Sequence, residues 1–567
     1  MNKKNEDNNI IINDISNNLK KIEKEKQKEK NNIFNLERCQ TKLSLRKKKL
    51  NEKILNKRKI YFEFENREEK KINIKNASLK NIISKIDEEY KKEDKILELL
   101  TQILYILEQK YNDNKFNIDD LINNNYIEKI NNLIKIYINS PKIIFYITKI
   151  LFFSSLLFYL DNSFDDSNIL YDEKEELNKT GYFVSSDKYI DEYNKILKLY
   201  LKNEEIANNM ILFIESIITE QEINQLILAK GFTLNYIIES IDPTNFSDKL
   251  FKLKVRCLSK FENRLIYENN LEISLKIQKI YIDIFLNHSN FDLFKDFNKE
   301  FDENNLLYNY LKLIENTACC YQKIFVENLI KSNIIEFLID NFINKDYELI
   351  KIIINILIDL TNAESDLGKR LINIGIIKFL IIIIKDKTFP LKLREASLVP
   401  INNVIDLNLW KLVFFEQKIL IMFCDLLNDQ DIKPGIFYEI CYGFHHLVYY
   451  CKEEQEILNI ILEEYFIIQL ICKAMKQIIN IKYEKIYICF EYFCSFVFEL
   501  LSNFDDKLTK KIITIFLKSG GDEILDSILS SYYNVDLEMS KSEEEKRINN
   551  AYNIVDLIKE KIKIYKK

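Results

Sequence analysis

From about residue 92 to the C-terminus, apolar residues recur at i, i+3, i+4 and i+7 in runs long enough to make two to five helical turns. The runs break at clusters of Asn, Asp and Lys rather than at Pro or Gly. That period predicts helices and loops throughout. The first part of the chain differs. Residues 1–32 are Asn, Lys and Glu with few apolar positions, which predicts a disordered tail. Residues 33–60 are basic with helical spacing, and residues 61–91 are charged and mixed, which reads as a linker.

The helical body carries an internal repeat. Residues 217–238 read IITEQEINQLILAKGFTLNYII, residues 323–338 read KIFVENLIKSNIIEFL, and residues 362–380 read NAESDLGKRLINIGIIKFL. Each is a short amphipathic helix, a break, and an apolar helix. Gly231, Asn333 and Gly375 occupy the break, where a left-handed residue can end a helix. No Pro- or Ser-rich linker divides the body into globules. A helical solenoid satisfies both facts, because each unit buries its face on the next. Spacings of roughly 40–47 residues point to armadillo or HEAT units. The expected fold is all-α: a right-handed armadillo-repeat superhelical solenoid over 92–567, of about ten repeats with an atypical last one, behind a flexible basic N-terminal segment.

Composition narrows the function. Of 567 residues only 8 are Gly and 5 are Pro. Phosphate-cradling loops need glycine where φ is positive, and no Gly-rich nucleotide motif is present. Three His (His288, His445, His446) leave little material for His-based metal or acid–base chemistry. The ten Cys form no C-x-x-C pair and read as reduced core thiols. No catalytic constellation is legible, so the chain is expected to be neither an enzyme nor a cofactor carrier. The formal net charge of −5 gives no reason to expect direct nucleic-acid binding. The longest apolar stretch, residues 150–160, is too short to span a bilayer, so membrane insertion is not expected. The first thirty residues are polar and charged, which predicts no signal peptide and residence in cytoplasm or nucleus.

Residues 45–60 read LRKKKLNEKILNKRKI. Basic groups lie on several faces of such a helix, too polar to fold alone, and would order on an acidic partner. The segment resembles the importin-β-binding segment of importin-α, the adaptor of nuclear import, whose pattern is L-R-K-x-K, a polar stretch, then L-x-K-R-R. Leu45, Arg46, Lys47, Lys49, Leu55, Lys57, Arg58 and Lys59 fall in register, and Arg38 stands where that family also has an arginine. Further segments follow in family order: FNIDDLINNNYI (116–127), EASLVPIN (395–402), EICYGFHH (439–446), SGGDEILDSIL (519–529) and NAYNIVDLIKEKI (550–562). The resemblance covers about 33–60 and 95–563, with a poorly matched stretch near 240–305.

The resemblance implies importin-β and the basic localisation-signal peptides of cargo as partners. In that family a ladder of Trp and Asn, one helical turn apart, grips an extended peptide, and acidic residues pair with its cationic heads. Here the ladder positions read Phe145/Lys149, Leu212/Ser216, Ile358/Asn362, Leu398/Asn402 and Tyr442/His446, with Glu395 as the acidic member. The tryptophans are lost, and Lys149 is expected to repel a basic peptide. The better candidates are therefore Ile358, Asn362, Glu395, Leu398, Asn402, Tyr442 and His446. Pro400 is expected to interrupt its helix, and Trp410, the one tryptophan, is expected to be a packing residue outside the ladder. Two readings stay open: an importin-α-like adaptor, and an armadillo scaffold without conventional localisation-signal binding.

Overall fold

The structure is a computed structural model that describes residues 79–566, apart from 114–124, 162–186, 289–304, 534–542 and several shorter connections. No strand occurs among the described residues. Ten helices form a continuous ladder along the chain, each packed on the next. They are α1 (Glu93–Asp113), α2 (Pro141–Asp161), α3 (Glu204–Ile218), α4 (Lys249–Ser259) and α5 (Leu306–Ala318). They continue with α6 (Tyr347–Leu360), α7, α8 (Pro434–Cys451), α9 (Ile486–Ser502) and α10 (Glu543–Lys566). The helix α7 is in pieces: Leu391–Ala396, Val399–Val404 and a π-turn over Ile405–Leu409. A second layer of shorter helices, among them Leu79–Glu89, Ile334–Asn341, Ile376–Lys385 and Ile467–Ile478, stacks behind this ladder.

Isoleucine and leucine supply most of the core. In α6 the buried set Leu349, Ile350, Ile353, Ile354, Ile356, Leu357 and Leu360 wraps most of the helix, because both layers cover it. Helix 376–385 is buried only at Ile376, Ile377, Phe379, Leu380, Ile383 and Ile384, the one-sided stripe of an outer helix. Side-chain oxygens close several helix starts: Asn305 accepts from the Leu307 amide (2.8 Å), Asp346 from Glu348 (2.8 Å) and Asp505 from Leu508 (2.7 Å).

The expected linker is shorter than 61–91. Leu79–Glu89 is a helix whose Leu79, Ile82, Ile83 and Ile86 are buried and pack on α1, so the solenoid has begun by residue 79. Pro400 does interrupt its helix. It cannot donate to Ala396, and the helix stops there and restarts at Val399, with Pro400 in the new first turn. Trp410 is buried and lies edge-on to Phe415. The expected tail, the basic segment with Arg38, Leu45, Arg46, Lys47, Lys49, Leu55, Lys57, Arg58 and Lys59, and Gly231 lie outside the described residues, as do residues 116–124 of the first family-like motif.

One backbone device recurs. The residue just before an outer helix is left-handed at Asn125 (φ 49°), Asn333 (59°), Gly375 (107°), Lys418 (59°), Phe466 (51°) and Gly520 (80°). At all but Asn125 it links a short helix to the outer helix behind the ladder. Only two of the six are glycine. A left-handed Phe costs roughly 1–2 kcal/mol, and glycine would trade that for a smaller entropy cost. The Phe466 side chain is 56% exposed, so little packing is at stake. Phe466→Gly is therefore expected to stabilise the protein by about 0.5–1 kcal/mol, read as a higher thermal midpoint. A lower midpoint would mean that the ring contributes contacts that outweigh the backbone strain.

Candidate functional site

The polar groups on the ladder helices bind one another. Lys149 of α2, buried, pairs with Glu108 of α1 at 3.1 Å. Ser155 of α2 bonds Ser216 of α3. Glu215 of α3 takes both Nε and Nη2 of Arg256 on α4 (3.2 and 2.8 Å). Ser259 of α4 donates to Asn309 of α5 (2.7 Å), and Glu315 of α5 accepts from Asn355 of α6 (2.7 Å). Asn403 of α7 reaches the carbonyl of Ile358 and the Thr361 hydroxyl (both 3.1 Å). Between α9 and α10, Glu491 binds Arg547 (3.1 Å) and Asn550 (2.9 Å). These bonds tie successive repeats together in place of a ligand.

Lys149 is thus a neutralised structural lysine, and the repulsion expected of it is corrected by its Glu108 partner. Asn362 is exposed, but its amide bonds the Ile358 carbonyl one turn back at 3.1 Å, capping its own helix. Leu398 has no exposed surface and packs in the core, which overturns its expected place on an open face. Asn402 is 2% exposed, and its amide donates to the backbone carbonyl and the Oε2 of Glu439 (3.0 and 2.7 Å). It clamps α7 to α8, so its reading as a free peptide clamp is corrected too.

Glu395, Tyr442 and His446 do converge, on the junction of α7, α8 and α9. Asp406 sits in the π-turn of α7, a helix distortion that re-aims its carboxylate. It accepts the Tyr442 hydroxyl at 2.6 Å, its other oxygen lies 2.8 Å from His446 Nδ1, and its backbone carbonyl accepts the Tyr450 hydroxyl at 2.8 Å. Residues 442, 446 and 450 follow one another by single turns of α8. The Tyr442 ring lies 4.5 Å from that of His446 and 5.1 Å, edge-on, from Tyr492 of α9. Tyr438, one turn earlier, is 5.4 Å from Tyr492. The result is a half-exposed tyrosine face with Asp406, Glu395 and Glu439 beside it.

Glu439 and Glu395 take no part in the ion pairs above. Among the described residues neither forms an ion pair with a lysine or arginine. Glu439 is 6% exposed, and burial pushes its carboxyl up to about 7, opposed by hydrogen bonds from Tyr438 and Asn402 and reinforced by the nearby Glu395. Burial also raises Glu395, with Lys392 and Arg394 acting against it. Burial, and then the bond to Asp406, raise the Tyr442 hydroxyl, so it stays a neutral donor at neutral pH. The sequence motif contained Glu439, Asp406 and Tyr438 only as neighbours. Tyr438, Tyr442, His446 and Tyr450 at i+4 spacing on one helix were the signal that could have joined them.

No metal-holding group of His, Cys, Asp or Glu occurs among the described residues. Their cysteines are free thiols, and no described helix is long and apolar enough to cross a membrane. No family model matches the chain, and no curated protein matches it. Solved structures do. An engineered protein matches at 10% identity and a TM-score of 0.51, covering 84% of this chain and 98% of its own. A structure concerning a phosphorylation switch in the interaction between cadherin and beta-catenin matches at 11% and 0.53, covering 85% and 83%. A designed armadillo repeat protein in complex with the peptide (KR)4 matches at 13% and 0.33, covering 45% and 95%. At such identities the likeness concerns the fold, and the chain is an all-α solenoid of the armadillo-repeat kind.

A raised carboxyl destabilises the fold when it ionises. The stability that neutral Glu439 contributes is full below its ordinary range near 4.5 and is lost as pH rises through about 7. Glu439→Gln keeps an acceptor for Asn402 and removes the charge. Relative to the parent it is expected to gain stability on the order of 2 kcal/mol between pH 5 and pH 8, measured by thermal melting at both. An equal difference at both pH values would show that Glu439 is already ionised at pH 5.

Proposed function

We propose that this chain is a binding adaptor that works without catalysis, and that it holds a cationic protein segment on the α7–α9 face. The observation that carries the proposal is a pair of carboxylates, Glu395 and Glu439, that form no lysine or arginine ion pair among the described residues and lie beside a row of tyrosines. A lysine or arginine stem can lie along tyrosine rings while its head meets a carboxylate. Ile358 and Asn362 would border that segment on the α6 side.

The finer reading is an importin-α-like adaptor, moving between cytoplasm and nucleus, that carries localisation signals on this face and meets importin-β through residues 33–60. It is supported by the register of Leu45, Arg46, Lys49, Leu55, Lys57 and Arg58 and by the ordered motifs at 395, 439, 519 and 550. The fold is also that of proteins that bind other proteins along a helical ladder. An armadillo scaffold with other partners is the second reading, favoured by the buried Leu398 and the engaged Asn402.

Calorimetry of the full chain with importin-β, at physiological salt, separates the two. The adaptor reading predicts binding that falls at least a hundredfold when Arg46, Lys49, Lys57 and Arg58 become Ala. Absence of binding by the parent chain removes the adaptor reading and leaves the scaffold.

A further inference from the structure

The inference rests on the reading of the α7–α9 face as a cation-binding site and concerns how that site is controlled. Gly435, Glu439 and Gly443 lie one turn apart on the side of α8 that meets α7. The two glycines let α7 come close. A Cβ on Gly435 would collide with the Glu395 carboxylate, and one on Gly443 would lie 2.8 Å from Asn402 Oδ1 and 2.9 Å from the Phe423 ring. Glu439 is enclosed between them. It is held by neutral donors, the Asn402 amide and the Tyr438 hydroxyl.

Among the described residues no lysine or arginine is paired with Glu439. From α7 come Glu395, Arg394, whose Nε is bonded to the Ile384 carbonyl at 2.8 Å, and Asp406, held by Tyr442 and His446. From α9 come Cys489, Tyr492 and Glu491, the last two bound by Arg547 of α10, with Glu499 beside His445 further along. The helix Ile467–Ile478 places Cys472 near Cys441 of α8, away from Glu439. Asn402 Oδ1 is itself buried without a hydrogen-bond partner, so the junction lacks a donor there.

We propose that capture of a lysine or arginine side chain beside Glu439 is coupled to release of one proton from its carboxyl. In the free protein the carboxyl is neutral and can donate. When a cationic head arrives, the O–H bond breaks, its electron pair stays on the carboxylate, and the proton leaves to solvent. The cation supplies a countercharge for Glu439 and a donor for the junction. The raised carboxyl of Glu439 agrees with this, since it places the proton on the free protein near neutrality. Binding then strengthens as pH rises, roughly fivefold from pH 6 to pH 7 and about twofold more to pH 8, where it levels off.

The full chain titrated calorimetrically with a (Lys-Arg)₄ peptide at pH 6.5, in phosphate and in Tris, tests this. The two buffers differ widely in ionisation heat, so release of about one proton appears as a matching difference in apparent enthalpy. Glu439→Gln, with its folding checked by melting, is expected to bind more weakly and to show no buffer dependence. Equal enthalpies in the two buffers for the parent, or a buffer dependence that survives Glu439→Gln, would overturn the inference and leave the cation-binding site standing. No binding heat at either pH 6.5 or pH 8 would remove the site and the inference together.

Discussion

An Ile- and Leu-rich helix that is apolar over most of its surface has to be covered on two sides, and in this chain the cover is always the next repeat. That constraint organises the molecule. Ladder helices such as α6 bury nearly every turn, while outer helices such as 376–385 bury one stripe. The array grows by nearest-neighbour contact, and its stability is a sum of repeat and interface terms. On α10, Ala551, Val555, Ile558 and Ile562 are buried, while Asn553, Asp556, Glu560 and Lys563 face outward.

The same stacking decides what the ladder face can do. Close packing brings polar side chains of successive helices within reach, and a buried polar group needs a partner. Over α1–α6 the partners are internal, as in Lys149–Glu108, Glu215–Arg256 and Glu315–Asn355. Such a surface offers an extended ligand little. Around α7 the regular helix is broken at Pro400 and again by the π-turn, with Asn408 left-handed inside it. These distortions place Asp406 against Tyr442 and His446 and bring Asn402 onto Glu439. The irregular repeat is therefore where Glu395 and Glu439 meet without an ion pair.

Much of the fold was legible because the 3.6-residue period survives any bias in composition, and so were the left-handed breaks at Asn333 and Gly375. The equivalent breaks at Lys418 and Phe466 were not legible, because the residues there carry no turn signal. Local strain at those positions is held by the helices on either side. The early start at Leu79 was hidden among charged residues, since only four positions of that helix are buried. The surroundings of the site were less legible. Glu395, Tyr442 and His446 were singled out by their place in the motifs, while Asn402 and Leu398, expected on an open face, are buried. A motif fixes position along a helix, but the close approach of α7 to α8, permitted by Gly435 and Gly443, decides which side chains remain open.

The central claim is that cation-binding capacity is confined to the α7–α9 face. A basic peptide carrying a photoreactive residue, crosslinked to the full chain and mapped by mass spectrometry, tests it directly. The account predicts crosslinks to residues of α7, α8 and α9, lost in the Glu395→Gln, Glu439→Gln double variant. Crosslinks concentrated on α2–α5, unaffected by that variant, would contradict it.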